Sequence, residues 1–231
     1  MTTLSVEIWS DVVCPWCYIG KRRWEEGLAA FEASHPDVTV EVAYRAFQLD
    51  PSAPADRSTP VRAGYEKKFG GPAEAARIID HVTHEAAAVG LEFDMDRALR
   101  SNTANAHRLL VLAAQTDRQL ELKERLMRAY FCEGQEVGSI DSIVALGAEV
   151  GLDADVARTW LEGDGGRAEV AAQLTFAAEA GITSVPTFVI NRTVGIPGAQ
   201  DPAVFTEILT RAAAMDPPLS PNDLSPNDAA S

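Results

Sequence analysis

The sequence predicts an α/β protein, an open sheet interrupted by a large all-helical insertion, and three observations carry that reading. "LSVEIW" (residues 4–9) and "VTVEVAYRAF" (38–47) alternate apolar and polar positions as strands do, with one helical pattern between them. Helical periodicity then takes over from about residue 60 to about 180. Strand character returns only in "VPTFVI" (185–190) and around Val194 and Ile196. The order is β-α-β, a helical block, then β-β-α, so the two sheet-forming parts must meet across the block.

Each element has a local reason. Pro15 suits the first position of a helix, where its missing N–H would have had no partner anyway, and Ile19, Trp24, Leu28 and Phe31 recur at helical spacing behind it. "HPD" (35–37) ends that helix, and the strand that follows pairs in parallel through a right-handed crossover. Pro51, Pro54 and Pro60 mark residues 48–60 as a loop. Ile79, Val82, Ala86 and Val89 share one helix face that Gly90 stops. "ANAHRLLVLAAQ" and "LELKERLMRAYF" read as an antiparallel helical pair. Asp141 is expected to cap "SIVALGAEV" and Asp153 to cap "ADVARTWLEG", and a further helix covers about 166–180 up to Gly181. The dipeptide "NR" turns a hairpin after residue 190, and Asp201 caps a last helix with Pro202 at its first position. The tail repeats LSPND and is expected to be disordered. The expected division is 1–59 with 166–215 as the sheet-bearing domain, 60–165 as a helical cap, and 216–231 as tail.

The 231 residues carry 34 acidic against 20 basic side chains, a net charge of −14 that repels phosphate backbones and anionic membranes. Nucleic acid and membrane are therefore not expected as partners. "MTTLSVEIWSD" lacks the basic and apolar regions of a signal peptide, and no run approaches the ~20 apolar residues of a membrane span. A cytoplasmic location follows as an expectation, and there a structural disulfide is disfavoured.

Within "SDVVCPWCYIGKRRW" (10–24), Cys14 and Cys17 stand two residues apart at the start of a helix. As N-cap, Cys14 faces unpaired backbone N–H groups and the positive end of the helix dipole, which is expected to lower its pKa. Cys17, one turn on, is expected to be the more buried. Cys14 then attacks a disulfide and Cys17 resolves the mixed disulfide. Zinc would need further ligands, but there is no second such pair, and His35, His81, His84 and His107 are dispersed; His81 and His84 read as surface residues. No metal and no cofactor is expected, and a redox pair beside a βαβ unit is the preferred reading. The segment "GITSVPTFVI" (181–190) adds Pro186 at the opening of a strand, a place suited to a cis bond.

Taken in order, "SDVVCPWCYIGKRRW", "FQLDPSAP", "SNTANAHRLL" and "GITSVPTFVINRTVGIPGAQ" resemble the DsbA-like thioredoxin-fold oxidoreductases, in particular the cytosolic FrnE-type branch, over about residues 4–214. The resemblance implies a thioredoxin fold with an inserted helical domain, a nucleophilic Cys14, a resolving Cys17 and a cis Pro186 beside them. It also implies that the Val185 backbone pairs with an extended substrate segment. Two departures stand out. The buried acid that many members carry on the first strand is replaced here by Ile8, which leaves Glu7 or Asp11 as substitutes. Trp16 stands where strongly oxidising relatives have histidine, so a weaker oxidant, nearer a reductase or isomerase, is expected.

Pro15, Trp16, Val185, Pro186 and His107 are the candidate substrate-binding residues, with Trp16 lining a groove between cap and sheet. Lys21, Arg22 and Arg23 read as a solvated helical face, and Cys132 as a small apolar residue. The expected function is thiol–disulfide exchange on protein or small-molecule disulfides, with glutathione or thioredoxin as redox partner. A glutathione-dependent isomerase or transferase of the kappa-class or hydroxychromene-carboxylate-isomerase type is the alternative, disfavoured by the intact CPWC pair. A chaperone-like binding protein is the third reading.

Overall fold

A computed structural model describes residues 2–54 and 57–215. The expected tail disorder falls outside these residues. The chain runs β1 (Thr2–Ser10), α1 (Pro15–Ser34), β2 (Val38–Ala46), β3 (Thr59–Pro60), α2 (Val61–Phe69), α3 (Pro72–Ala88), β4 (Leu99–Arg100), α4 (Ala104–Ala114) and α5 (Gln119–Cys132). It continues through α6 (Ile140–Glu149), α7 (Ala154–Glu162), α8 (Arg167–Glu179), β5 (Thr187–Ile190), β6 (Val194–Pro197) and α9 (Pro202–Ala214). The main sheet has the order β2-β1-β5-β6, with β1 and β2 parallel and β5 antiparallel to β1. The β5–β6 hairpin is antiparallel, and β3 and β4 form a separate two-residue ladder within the insertion.

The period-two pattern of β1 sends its side chains to the two faces of the sheet. Leu4, Val6 and Ile8 join Trp24 and Phe31 of α1, Phe188 of β5, and Phe205 and Leu209 of α9. Trp24, Phe188 and Phe205 lie 4.6–5.4 Å apart between ring centroids, so three elements meet on one aromatic contact. Gly27 lets α9 approach: a Cβ there would stand 2.5 Å from the Pro202 carbonyl oxygen. On the opposite face Trp9 stacks on Phe176 of α8 at 5.4 Å. The helical block covers this face, and Gln119 and Gln173 accept hydrogen bonds from the β2 N–H groups of Tyr44 and Ala46, at 2.8 and 2.7 Å. An edge strand that would expose its donors is thereby closed by helices.

Three local expectations change. Ser139, not Asp141, caps α6, accepting from Ser142 N–H at 3.4 Å; Asp141 sits two residues inside, in the first turn. Asp201 holds the N-cap position of α9 but makes no capping hydrogen bond. Lys21, Arg22 and Arg23 are not a solvated face: Lys21 pairs with Glu25 and with Glu124 of α5 at 2.7 Å, Arg22 with the same two acids, and Arg23 with Glu85 of α3. They tie α1 to the inserted helices. Asp153 does cap α7, and Asn191 and Arg192 take the positive φ angles a tight hairpin turn requires.

Candidate active site

Cys14 is the N-cap of α1, with extended backbone (φ −89°, ψ 115°), and its Sγ accepts from Cys17 N–H at 3.3 Å. Pro15 follows at the first helical position. Across the site the Val185–Pro186 peptide is cis, and the Cys14 thiol donates to the Val185 carbonyl at 3.7 Å. Gly20 makes this approach possible, since a Cβ on it would stand 2.9 Å from the Pro186 ring. Among the described residues the Val185 N–H has no partner. The structure thus brings Cys14, Pro15, Cys17, Val185 and Pro186 together, although residues 14 and 185 lie far apart in sequence.

Exposure does not separate the two thiols: Cys14 is 3% and Cys17 2% exposed, and both are free. The expected fall in the Cys14 pKa is corrected by its surroundings. Burial, the Cys17 hydrogen bond and the neighbouring Cys17 charge push the Cys14 thiol well above its usual value. Burial also opposes ionisation of Cys17. There, however, the Cys14 hydrogen bond, the Lys123 charge, the Ser10 hydroxyl and the Asp11 backbone outweigh burial and bring the pKa down. The two buried thiols titrate as a pair, and ionisation of one opposes ionisation of the other.

Asp11, Lys123 and His107 form a buried polar group behind the thiols. Of the two candidate acids, Asp11 is buried and its carbonyl accepts from Cys14 N–H at 3.3 Å, whereas Glu7 pairs with Arg45 and Arg192. Asp11 is 0% exposed, bonded to His107 Nε2 at 3.2 Å and to Leu49 N–H at 2.8 Å. Burial opposes its charge, but the His107 and Leu49 bonds and the Lys123 charge hold its carboxyl below the usual range. His107 is a buried partner of Asp11, 2% exposed, and is not in the lining of the cleft described below. The α4 start puts it on the inner face of its helix.

A cleft of about 700 Å³ opens between the loop at Leu49–Ser52, α2 and Arg100, with Val13, the neighbour of Cys14, and Tyr130 in its lining. Burial and the nearby Cys14 charge push Tyr65 of this cleft up to about 12. Trp16 does not line the cleft; it packs on His81 of α3, 5.7 Å between ring centroids. An indole at this helix position points toward α3, whereas the cleft lies on the Val13 side.

Lys123 and Ser10 were not singled out from sequence. Lys123 interrupts an otherwise apolar stripe of α5 with Leu126, Met127 and Tyr130, all buried, and that interruption is the signal available. Ser10 offers no signal, as a small polar residue closing a strand is ordinary.

A model of the DSBA-like thioredoxin domain matches residues 5–210. The uncharacterized protein YwbO of Bacillus subtilis (strain 168) is 31% identical over 210 residues, covering 90% of this chain and 96% of that protein. The crystal structure of a probable DsbA oxidoreductase from Streptomyces coelicolor matches with TM-score 0.86 and 39% identity, over 94% of this chain and 93% of that one. Cytosolic disulfide reductase DsbM from Pseudomonas aeruginosa, solved with GSH, matches with TM-score 0.60 over 91% and 100% of the two chains. Its 18% identity makes this a likeness of fold.

Proposed function

Because this chain belongs to the DSBA-like thioredoxin family of thiol–disulfide oxidoreductases, we propose that it is a disulfide reductase or isomerase working through the Cys14–Pro15–Trp16–Cys17 pair. The observation that carries the reading is the placement of Cys14: N-cap of α1, sulfur against the Val185 carbonyl, one residue from Val13 on the wall of an open cleft. Cys14 attacks a substrate disulfide and forms a mixed disulfide, and Cys17, hydrogen-bonded to it from the first turn, displaces the substrate thiolate. An extended substrate segment lies along residues 184–186 and takes up the free Val185 N–H, while Pro15 and Pro186 shape the contact. The inserted helices serve as the cap that holds the substrate. Trp16, which carries no charge, leaves the thiol field to Lys123 and the helix start, which supports a weak oxidant of the FrnE type.

The substrates in this reading are protein or small-molecule disulfides, the thiol partner is glutathione or thioredoxin, and the compartment is the cytoplasm. A chain whose three cysteines include a single CxxC pair supports that compartment. Reduction of insulin disulfides with a thiol reductant tests it. Wild-type protein should accelerate the reduction and Cys14→Ser should abolish the acceleration. Undiminished activity in Cys14→Ser would overturn the reading.

A further inference from the structure

The cleft between the 48–52 loop, α2 and Arg100 adjoins the reactive helix start. Val13 of its wall is the chain neighbour of Cys14, and Leu49 of its lining donates its N–H to the Asp11 carboxylate at 2.8 Å. At about 700 Å³ it has the size of a ligand site. Its polar lining consists mostly of hydrogen-bond donors. Lys67 and Lys68 are exposed in the last turn of α2. The ion pairs close to them in the chain and the cleft join Arg62 to Asp96 and Arg100 to Asp50; among the described residues Lys67 and Lys68 join none. Asp50 is the one acid among the described lining residues, and it already accepts from Arg100 Nε and from the Ser52 hydroxyl, at 2.7 Å each.

Two tyrosines complete the lining. Tyr130 is 2% exposed and Tyr65 is partly buried. Among the described residues the tyrosine hydroxyl with a hydrogen-bond partner is that of Tyr18, to Glu124; those of Tyr65 and Tyr130 have none. Burial raises both pKa values, so both hydroxyls stay protonated and can donate. An occupant therefore meets two uncompensated cations, two donor hydroxyls and no free carboxylate. On a chain of net charge −14 this is a local reversal of sign.

We propose that the cleft selects the substrate: it takes an extended peptide segment whose acidic side chains flank the reactive disulfide, with Lys67 and Lys68 pairing with their carboxylates and the Tyr130 hydroxyl donating to one of them. The proposal rests on the redox reading above and names its substrate class. A peptide fits because Cys14 touches Val185 with its sulfur and meets the cleft through Val13. A segment lying along Val185 with its disulfide at Cys14 has the cleft within reach of its neighbouring side chains. Lysines in a last helical turn also complement the helix dipole, but that role acts on α2 and treats every substrate alike.

Three synthetic peptides with the same disulfide, flanked by glutamate, glutamine or lysine, test the proposal on the full chain turned over by a thiol reductant. Each kcat/KM is compared with uncatalysed reduction of the same peptide. Wild type should prefer glutamate over glutamine about tenfold at low salt, as two solvent-facing ion pairs allow, with lysine last. Added salt should shrink the preference. Lys67→Glu together with Lys68→Glu should invert the order, and Tyr130→Phe should lower the glutamate preference. A helix-dipole role alone would lower the thermal midpoint and leave the ratios between peptides as they were. Equal values for the three peptides, or an unchanged order in the charge-reversed variant, would overturn the proposal while the reduction itself upholds the redox reading. Reduction of none of the peptides by wild type would overturn the redox reading and the proposal with it.

Discussion

Asp11 shows how one side chain ties the site to the fold. Its carboxylate is the partner of His107, anchors Leu49 at the rim of the cleft, and acts on both Lys123 and Cys14. Removing the charge leaves Lys123 buried with less compensation. Asp11→Asn should therefore cost roughly 1.5–3 kcal/mol at pH 7, in the range for a hydrogen bond to a buried charged group. The pH dependence has a definite sign. The Asp11 pKa is lower in the folded than in the unfolded chain, so its contribution is complete above the unfolded value of ~3.9 and is lost as the pH falls through the folded value. Denaturant titrations should show a steady gap between wild type and variant above pH ~5 that narrows as the pH falls below ~4. A constant gap from pH 3 to pH 7 would assign the loss to packing instead. Asp11 was visible in sequence as one of two substitutes for the missing strand acid. Its partner His107 lies 96 positions away, and only the folded α4 brings them together. The Cys14 pKa failed as an expectation for the same reason: the helix start is local, but the burial that outweighs it is not.

Elements were legible where their signals are local. The alternation in β1 and β2, Pro15 at the start of α1, and the turn at Asn191–Arg192 each depend on neighbours within a few residues. Caps were harder, because Ser139 and Asp141 stand two residues apart and both can cap; tertiary placement of α6 chose Ser139. The basic run after the thiols read as solvated because its acidic partners Glu85 and Glu124 belong to other helices. The glycines of α1 carry a sharper consequence. Alanine favours a helix over glycine by ~1 kcal/mol where nothing is in the way. At Gly27 the new Cβ would meet the Pro202 carbonyl at 2.5 Å, backbone against backbone, so Gly27→Ala should destabilise by roughly 1–3 kcal/mol. At Gly20 the obstacle is the Pro186 ring and Ala199. Gly20→Ala should push the Pro186 segment away from Cys14, so that disulfide reduction falls several-fold more than stability does. Thermal unfolding set beside insulin reduction distinguishes the two, and equal activity loss per unit of stability in both variants would remove the special role given to Gly20.

At the scale of the molecule, the thiol pair lies where two cores meet. Cys14, Cys17, Tyr18 and Ile19 belong to the apolar core of the inserted helices, while Trp24 and Phe31, further along the same α1, belong to the core beneath the sheet. One helix thus carries the reactive end into the helical block and anchors its other end against β1, β5 and α9. Among the described residues no helix is long and apolar enough to cross a membrane. The β-α-β … β-β-α order could be read from sequence, and so could the pairing of "CPWC" with "SVPT", because each is a short motif. Where the cleft opens, and that Trp16 turns toward α3 instead, depended on how α2 and α3 pack, which no short motif encodes. The division of labour between the thiols is the claim on which the whole assembly turns. It is tested most directly by mass spectrometry of Cys17→Ser and Cys14→Ser after reaction with a disulfide-containing peptide. Cys17→Ser should accumulate a stable peptide adduct on Cys14 and Cys14→Ser should accumulate none on Cys17. An adduct on Cys17 formed as fast as that on Cys14 would contradict the account.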